Sequence, residues 1–116
     1  MLEIIFGKYL IKTLFYSEPS AVVNLSAVNI IENVIGLRLS WEPPTTAPTC
    51  VDHYAIDVDG SVYNPLANES SLTIPNLKSC TYYLIKIAPI DFKGKQADTV
   101  SMQSEPTKEK GKLMIY

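Results

Sequence analysis

Two alternating apolar runs, each built around a large aromatic, constrain this chain more than any other feature. The first reads Ile35, Leu37, Leu39, Trp41, with Gly36, Arg38 and Ser40 between them. The second reads Tyr83, Ile85, Ile87, and Leu77 precedes its tyrosine by six residues. Alternation at period two buries one face of a strand and leaves the other wet, which is how an antiparallel strand reads. Large aromatics on two such strands imply two sheets packed face to face over a shared core.

The 116 residues suit one core with little left over. Apolar residues make up 47% of the chain, too many for a disordered segment. A net charge of −2 makes no electrostatic case for nucleic acid. Eight prolines with few glycine-rich stretches favour short strands and firm turns over long helices. Lysines cluster only at Lys108, Lys110 and Lys112, which reads as a solvated linker.

Residues 1–17 are apolar but fit no template. Glu3 comes early and Lys8 and Lys12 interrupt the run, unlike a signal peptide. The segment is also too short and too charged for a membrane-spanning helix. A weak signal or anchor, an element packed on the sandwich, and the remnant of a longer chain all stay open, the last being favoured. Residues 108–116 end on Leu113, Met114, Ile115 and Tyr116 and read as a linker or cut tail.

Between these ends the strand signals are regular. Strands are expected at about Val22–Asn29, Val34–Glu42, Asp52–Val58, Ser61–Asn64, Ser70–Ile74, Thr81–Ile90 and Thr99–Ser104. Pro43 and Pro44 stop the second, because proline cannot continue a ladder. Asp59-Gly60 supplies a tight hairpin turn after the third. Seven short strands with such spacing make an all-β chain, an antiparallel two-sheet sandwich of immunoglobulin-like type.

Several pieces of residues 18–107 together carry a family likeness. They are Pro19, the run Leu37-Arg38-Leu39-Ser40-Trp41-Glu42-Pro43-Pro44, the run Tyr54-Ala55-Ile56-Asp57-Val58, Leu77 with Tyr83, and the ending Ser104-Glu105-Pro106-Thr107. In order and spacing the segment resembles a fibronectin type III domain. The resemblance implies that Tyr83 is a corner tyrosine whose hydroxyl bonds back to upstream backbone. It also implies that Trp41 is the core aromatic of the second strand, with Tyr54, Leu77 and Ile85 completing the core set. An immunoglobulin domain would carry cysteines on the second and sixth strands. Here Cys80 precedes Tyr83 and the second strand has no cysteine. Two features depart from the family pattern: Pro89 inside the sixth strand, where a bend or a lost ladder bond is expected, and a long loop from Pro44 to Asp52.

Cys50 and Cys80 form an even pair, a candidate disulfide in an exported chain. Cysteines at similar places recur in some invertebrate receptor modules of the family. Against the bond, these cysteines precede two strands that the resemblance makes antiparallel neighbours, so they fall at opposite ends of the sandwich. A strand of that length spans roughly 20 Å, whereas bonded Cα atoms lie within about 7 Å. Asn24-Leu25-Ser26 and Asn68-Glu69-Ser70 are glycosylation triplets, meaningful only on export, and Asn68 is the better acceptor because it precedes a strand.

Catalytic chemistry finds no support. His53 is the one histidine and reads as a strand residue beside the core. One histidine and two distant cysteines do not make a zinc set, and Asp57-Val58-Asp59-Gly60 lacks the later ligands of a calcium loop. No phosphate-binding glycine loop or nucleophile elbow occurs, so neither an enzyme nor a cofactor is expected. Binding is left, through loops 43–50 and 91–98 at one end of the sandwich. Thr45, Thr46, Asp91, Phe92 and Lys93 are the candidate contacts, with Phe92 more readily read as tucked under its own loop.

The expectation is a non-catalytic recognition and spacer module of a larger cell-surface adhesion or signalling receptor, outside the cell. A small secreted binding protein and an accessory module of an extracellular enzyme are the alternatives. The partner would be a protein ligand or a neighbouring domain of the same chain, not nucleic acid, and no membrane span lies in this sequence.

Overall fold

Hydrophobic alternation becomes two facing sheets in the computed structural model, which describes residues 4–6, 9–11 and 17–109. Strands β1 (Ile4–Phe6) and β2 (Tyr9–Ile11) pair antiparallel as a separate hairpin. A three-stranded sheet holds β3 (Val23–Asn29), β4 (Leu37–Glu42) and β7 (Ser71–Ile74) in the order β3-β4-β7. A four-stranded sheet holds β5 (Val51–Val58), β6 (Ser61–Tyr63), β8 (Leu84–Asp91) and β9 (Val100–Gln103) in the order β6-β5-β8-β9. Every pairing within them is antiparallel.

The core sits between the sheets. Leu37, Leu39 and Trp41 face inward from β4, while Tyr54, Ile56 and Val58 face them from β5. Ile85 and Ile87 of β8 and Ile74 of β7 complete it, and Leu77 packs against its rim. Trp41 and Tyr54 meet edge to face across the two sheets, with ring centroids 5.5 Å apart and planes at 66°. Burial pushes the Tyr54 phenol above its ordinary range, and the nearby Trp41 indole opposes that shift. The indole N–H itself is buried without a hydrogen bond of normal geometry.

Tyr83 does what the resemblance implied: its hydroxyl accepts the Lys78 backbone N–H at 2.8 Å. Leu77 N–H meanwhile donates to the Ile35 carbonyl, so the crossover into Tyr83 is tied to the connection between β3 and β4. Asp59 (φ 47°) and Gly60 (φ 93°) form the expected tight hairpin turn, and the Gly60 N–H donates to Asp57 Oδ1. Asp59 Oδ1 takes the Leu84 N–H, so both acids of that run hold the turn.

Some strand limits differ from the expected ones. β4 opens at Leu37 and not at Val34, because residues 31–35 bend as a connection. There the Val34 N–H is used on the Glu32 carbonyl and the Ile30 N–H on the Gly36 carbonyl. Thr81–Tyr83 lie outside β8, since Thr81 and Tyr83 donate to the Thr107 and Ser104 hydroxyls in place of a regular ladder. β3 carries a bulge between Val23 and Ser26, and Asn24 takes the left-handed conformation it needs (φ 54°).

Pro89 leaves the β5 ladder whole and interrupts only the β9 side. It faces Tyr54 across the ladder, and Tyr54 spends its N–H on the Pro65 carbonyl, on the opposite flank of β5. The Tyr54–Pro89 pair is thus one that exchanges no hydrogen bonds, and the proline nitrogen faces the β9 flank. On that flank the regular β9 pairing ends at Ile87–Val100, and past the proline the chain returns one residue out of register, with Ala97 N–H on the Pro89 carbonyl and Gln96 bridging Ile90. A second register shift falls on β5, between Val51 and His53.

Two substitutions test this packing. A Cβ at Gly36 would collide with the Ile74 carbonyl, Ile30 Cδ1 and Pro75 Cα, whereas one at Gly60 meets open space. Gly36→Ala should cost about 2–3 kcal/mol in urea unfolding, and Gly60→Ala only the strain of its positive φ, about 1 kcal/mol. Equal losses would contradict the contact. Tyr83→Phe leaves the Lys78 N–H without its acceptor and should cost about 1–2 kcal/mol, with a normal far-ultraviolet spectrum.

Candidate functional site

The register brings loops 43–50 and 91–98 to the same end of the sandwich. Val51, which follows the first loop, pairs with Asp91, which opens the second. The first loop turns through Ala47 (φ 51°) into a single 3-10 turn at Pro48–Cys50. Thr46 exchanges both its backbone groups with Ser20, donating to Ser20 Oγ and accepting from the Ser20 N–H, each at 3.1 Å. Its side chain and that of Thr45 remain exposed.

The second loop is organised from inside. Asp91 was expected as a surface contact, but only 2% of it is exposed. Its Oδ1 accepts the Lys93 and Lys95 N–H groups at 2.8 and 2.9 Å. Its own N–H donates to the Lys95 carbonyl, and its carbonyl accepts from the Gly94 N–H. Gly94 sits at φ 81°, which the tight return requires. Asp91 therefore shapes the loop and is withdrawn from contact. Lys95 reaches Glu18 at 2.5 Å, and that hydrogen bond raises its ammonium above the ordinary range.

Phe92 stands outside this frame, 70% exposed, and is not tucked under the loop. Burial of Asp91 and exposure of Phe92 have one cause. The carboxylate must face the N–H groups inside the turn, so the next side chain is directed outward. Lys93 is exposed beside it.

The other candidates stay apart. Cys50 and Cys80 are free thiols, not a disulfide. Val51 pairs near the end of β8 and Val58 near its start, so the length of β5 separates the two cysteines. Asn24 is exposed but held, its Nδ2 donating to a Glu42 carboxylate oxygen. Asn68 lies exposed in the turn before β7. His53 Nδ1 is 2.8 Å from Asp52 Oδ2. A cleft of about 360 Å³ near the Tyr83 corner is lined by Val58, Ser61, Tyr63, Leu77, Thr81 and Tyr83. Among the described residues no three His, Cys, Asp or Glu side chains converge on one point, and no helix is long and apolar enough to cross a membrane.

One constellation had no sequence signal. Lys108, expected in a solvated linker, is 3% exposed. Its ammonium donates to the Ile30 and Glu32 carbonyls and its N–H to Asn29 Oδ1. Asn29 Nδ2 in turn donates to Glu105 Oε1 and the Pro106 carbonyl. Thr107 Oγ1 donates to the Lys78 carbonyl. Residues 104–108 are thereby pinned to both sheets, and the fold continues through Lys108.

No protein-family model and no curated protein sequence matches the chain. Solved structures do. The fn3 domain of human collagen alpha-1(XX) is 24% identical, with a TM-score of 0.66 over 84% of this chain and 93% of that one. The Clostridium perfringens spore cortex lytic enzyme SleM is 18% identical, with a TM-score of 0.62 over 75% of this chain and 28% of that one. The central fibronectin-III array of RIM-binding protein is 21% identical, with a TM-score of 0.58 over 73% of this chain and 32% of that one. The chain thus spans under a third of the last two proteins. It has the fibronectin type III fold.

Asn29→Ala removes three side-chain bonds at the exit and leaves the buried Lys108 N–H unpaired. It should cost about 1–3 kcal/mol and speed amide exchange at Lys108 well before the core strands. Unchanged protection there would show that the exit is held by other groups.

Proposed function

We propose that this chain is a non-catalytic recognition and spacer module, and that it contacts a protein partner through the loop end carrying Phe92. One observation carries the reading: a loop braced by a buried carboxylate that turns a phenylalanine outward. A rigid aromatic on a braced loop loses little conformational entropy on binding, as the anchoring residue of an interface should. Thr45, Thr46 and Lys93 supply polar contacts around it. The pinned exit at residues 104–108 supports the spacer role, because it fixes the direction in which the chain leaves the sandwich.

The wider setting is a cell-surface adhesion or signalling receptor, with the module outside the cell. There Asn68 is the glycan acceptor, since its side chain is exposed in a turn while Asn24 is engaged by Glu42. A second reading has specific support: the likeness to SleM, a lytic enzyme, suits an accessory module attached to an extracellular hydrolase. The full-length transcript separates the two. Further sandwich modules with a membrane span favour the receptor, and a hydrolase domain favours the accessory module.

The contact end is tested with a photoreactive phenylalanine analogue at position 92, displayed to cell surfaces. Crosslinks should form there and be competed away by excess unlabelled chain but not by Phe92→Ser. That variant should keep its unfolding midpoint, because Phe92 contributes no core burial. Competition by Phe92→Ser equal to that of the unaltered chain would overturn this contact.

A further inference from the structure

The outer face of the four-stranded sheet has small residues at its centre and opposite charges beside them. Side chains directly opposite each other in an antiparallel ladder share a face. Ala55 lies opposite Ala88, and Asp57 lies opposite Lys86. Val62 extends the charged row onto β6 and Ser101 extends it onto β9. Ala55 and Ala88, the latter only 3% exposed, form the floor of a trough of about 270 Å³, walled by Val62, Lys86, Gln96 and Thr99. Val62 and Leu66, at its margin, are each 60% exposed. Asp57 spends one oxygen on the Gly60 N–H, and among the described residues Lys86 makes no ion pair.

We infer that this trough is a self-association surface, and that its occupant is a second copy of this chain. The cross-strand register supplies the reason. A two-fold axis running along the strands, between β5 and β8, superimposes each position of β5 on the opposite position of β8 in the partner. Asp57 of each copy then faces Lys86 of the other, and Ala55 faces Ala88. Both charges find a partner twice. An axis across the strands would set Asp57 and Lys86 over alanines and pair neither charge. The arrangement is self-complementary, as a two-fold interface requires, and keeps the strands aligned as in packed sheets.

Its size sets its strength. Strands of eight, eight, three and four residues, at about 3.3 Å per residue and about 4.8 Å apart, cover roughly 360 Å² per partner. Stable complexes bury about 800 Å² on each side, so the pairing is weak and transient. It uses a face that the Phe92 end leaves free, so either assignment can fail without the other.

Sedimentation velocity of the 116-residue chain across a concentration series tests it. The chain should dimerise reversibly as concentration rises. Lys86→Asp touches no hydrogen bond of the fold and should weaken the dimer about tenfold or more, by setting like charges opposite each other. Asp57→Lys should do the same, and an equimolar mixture of the two variants should recover association, since each then faces its opposite charge. Ala55→Arg, at the half-buried side of the trough floor, should abolish dimerisation while leaving the unfolding midpoint near that of the unaltered chain. A chain that stays monomeric to about 1 mM, the weak limit of useful affinity, overturns the proposal and leaves the face to a partner of another sequence. Dimerisation indifferent to Lys86→Asp and Ala55→Arg overturns it equally.

Discussion

The edge-to-face contact between Trp41 and Tyr54 is the point at which two sheets become one fold. Neither sheet buries its inner face alone, and these rings are the largest groups that each contributes at the crossing. Their separation sets the distance at which the leucines of β4 and the isoleucines of β5 and β8 can interdigitate. The dry environment that makes the contact strong leaves a mark, in the orphaned indole N–H and in a phenol held neutral beyond its usual range. Those are costs of burial, carried by a core otherwise built from hydrocarbon.

Away from that crossing, side chains bonded to distant backbone stiffen the ends. Asp91 braces one loop, Ser20 holds the other at Thr46, and Asn29 with Lys108 closes the opposite end around the exit. A module stiff at both ends transmits orientation as well as distance. That property suits a spacer that must also present a contact residue, and it follows from polar groups more than from the core.

What was legible in the sequence was whatever repeats locally. Alternation gave the inward sets of β4, β5 and β8, Asp59-Gly60 gave its turn, and Tyr83 with Leu77 marked the corner. What stayed hidden depends on hydrogen bonds that alternation does not encode, some local and some far along the chain. Val34 follows the strand alternation, yet its N–H turns back to Glu32, and only the closure of Ile30 on Gly36 decides that. Asp91 and Lys108 read as surface charges because nothing nearby shows that they will be buried. Each is buried against backbone groups that folding alone brings within reach: a turn of N–H groups for the acid, and carbonyls more than seventy residues upstream for the lysine. Phe92 reads as hidden for the same reason, since its direction follows from Asp91.

Pro89 has a consequence for how the molecule tolerates change. Its nitrogen faces the flank where the regular β9 pairing stops at Ile87–Val100, and beyond it the chain returns one residue out of step, with Ala97 on the Pro89 carbonyl and Gln96 bridging Ile90. Residues added at the tip of the 91–98 loop would lie beyond that offset, while the pairing from Val100 onward lies before it. The proline uncouples the size of the loop from the alignment of the strands beneath it, so that this end of the molecule can be remodelled while the scaffold keeps its register.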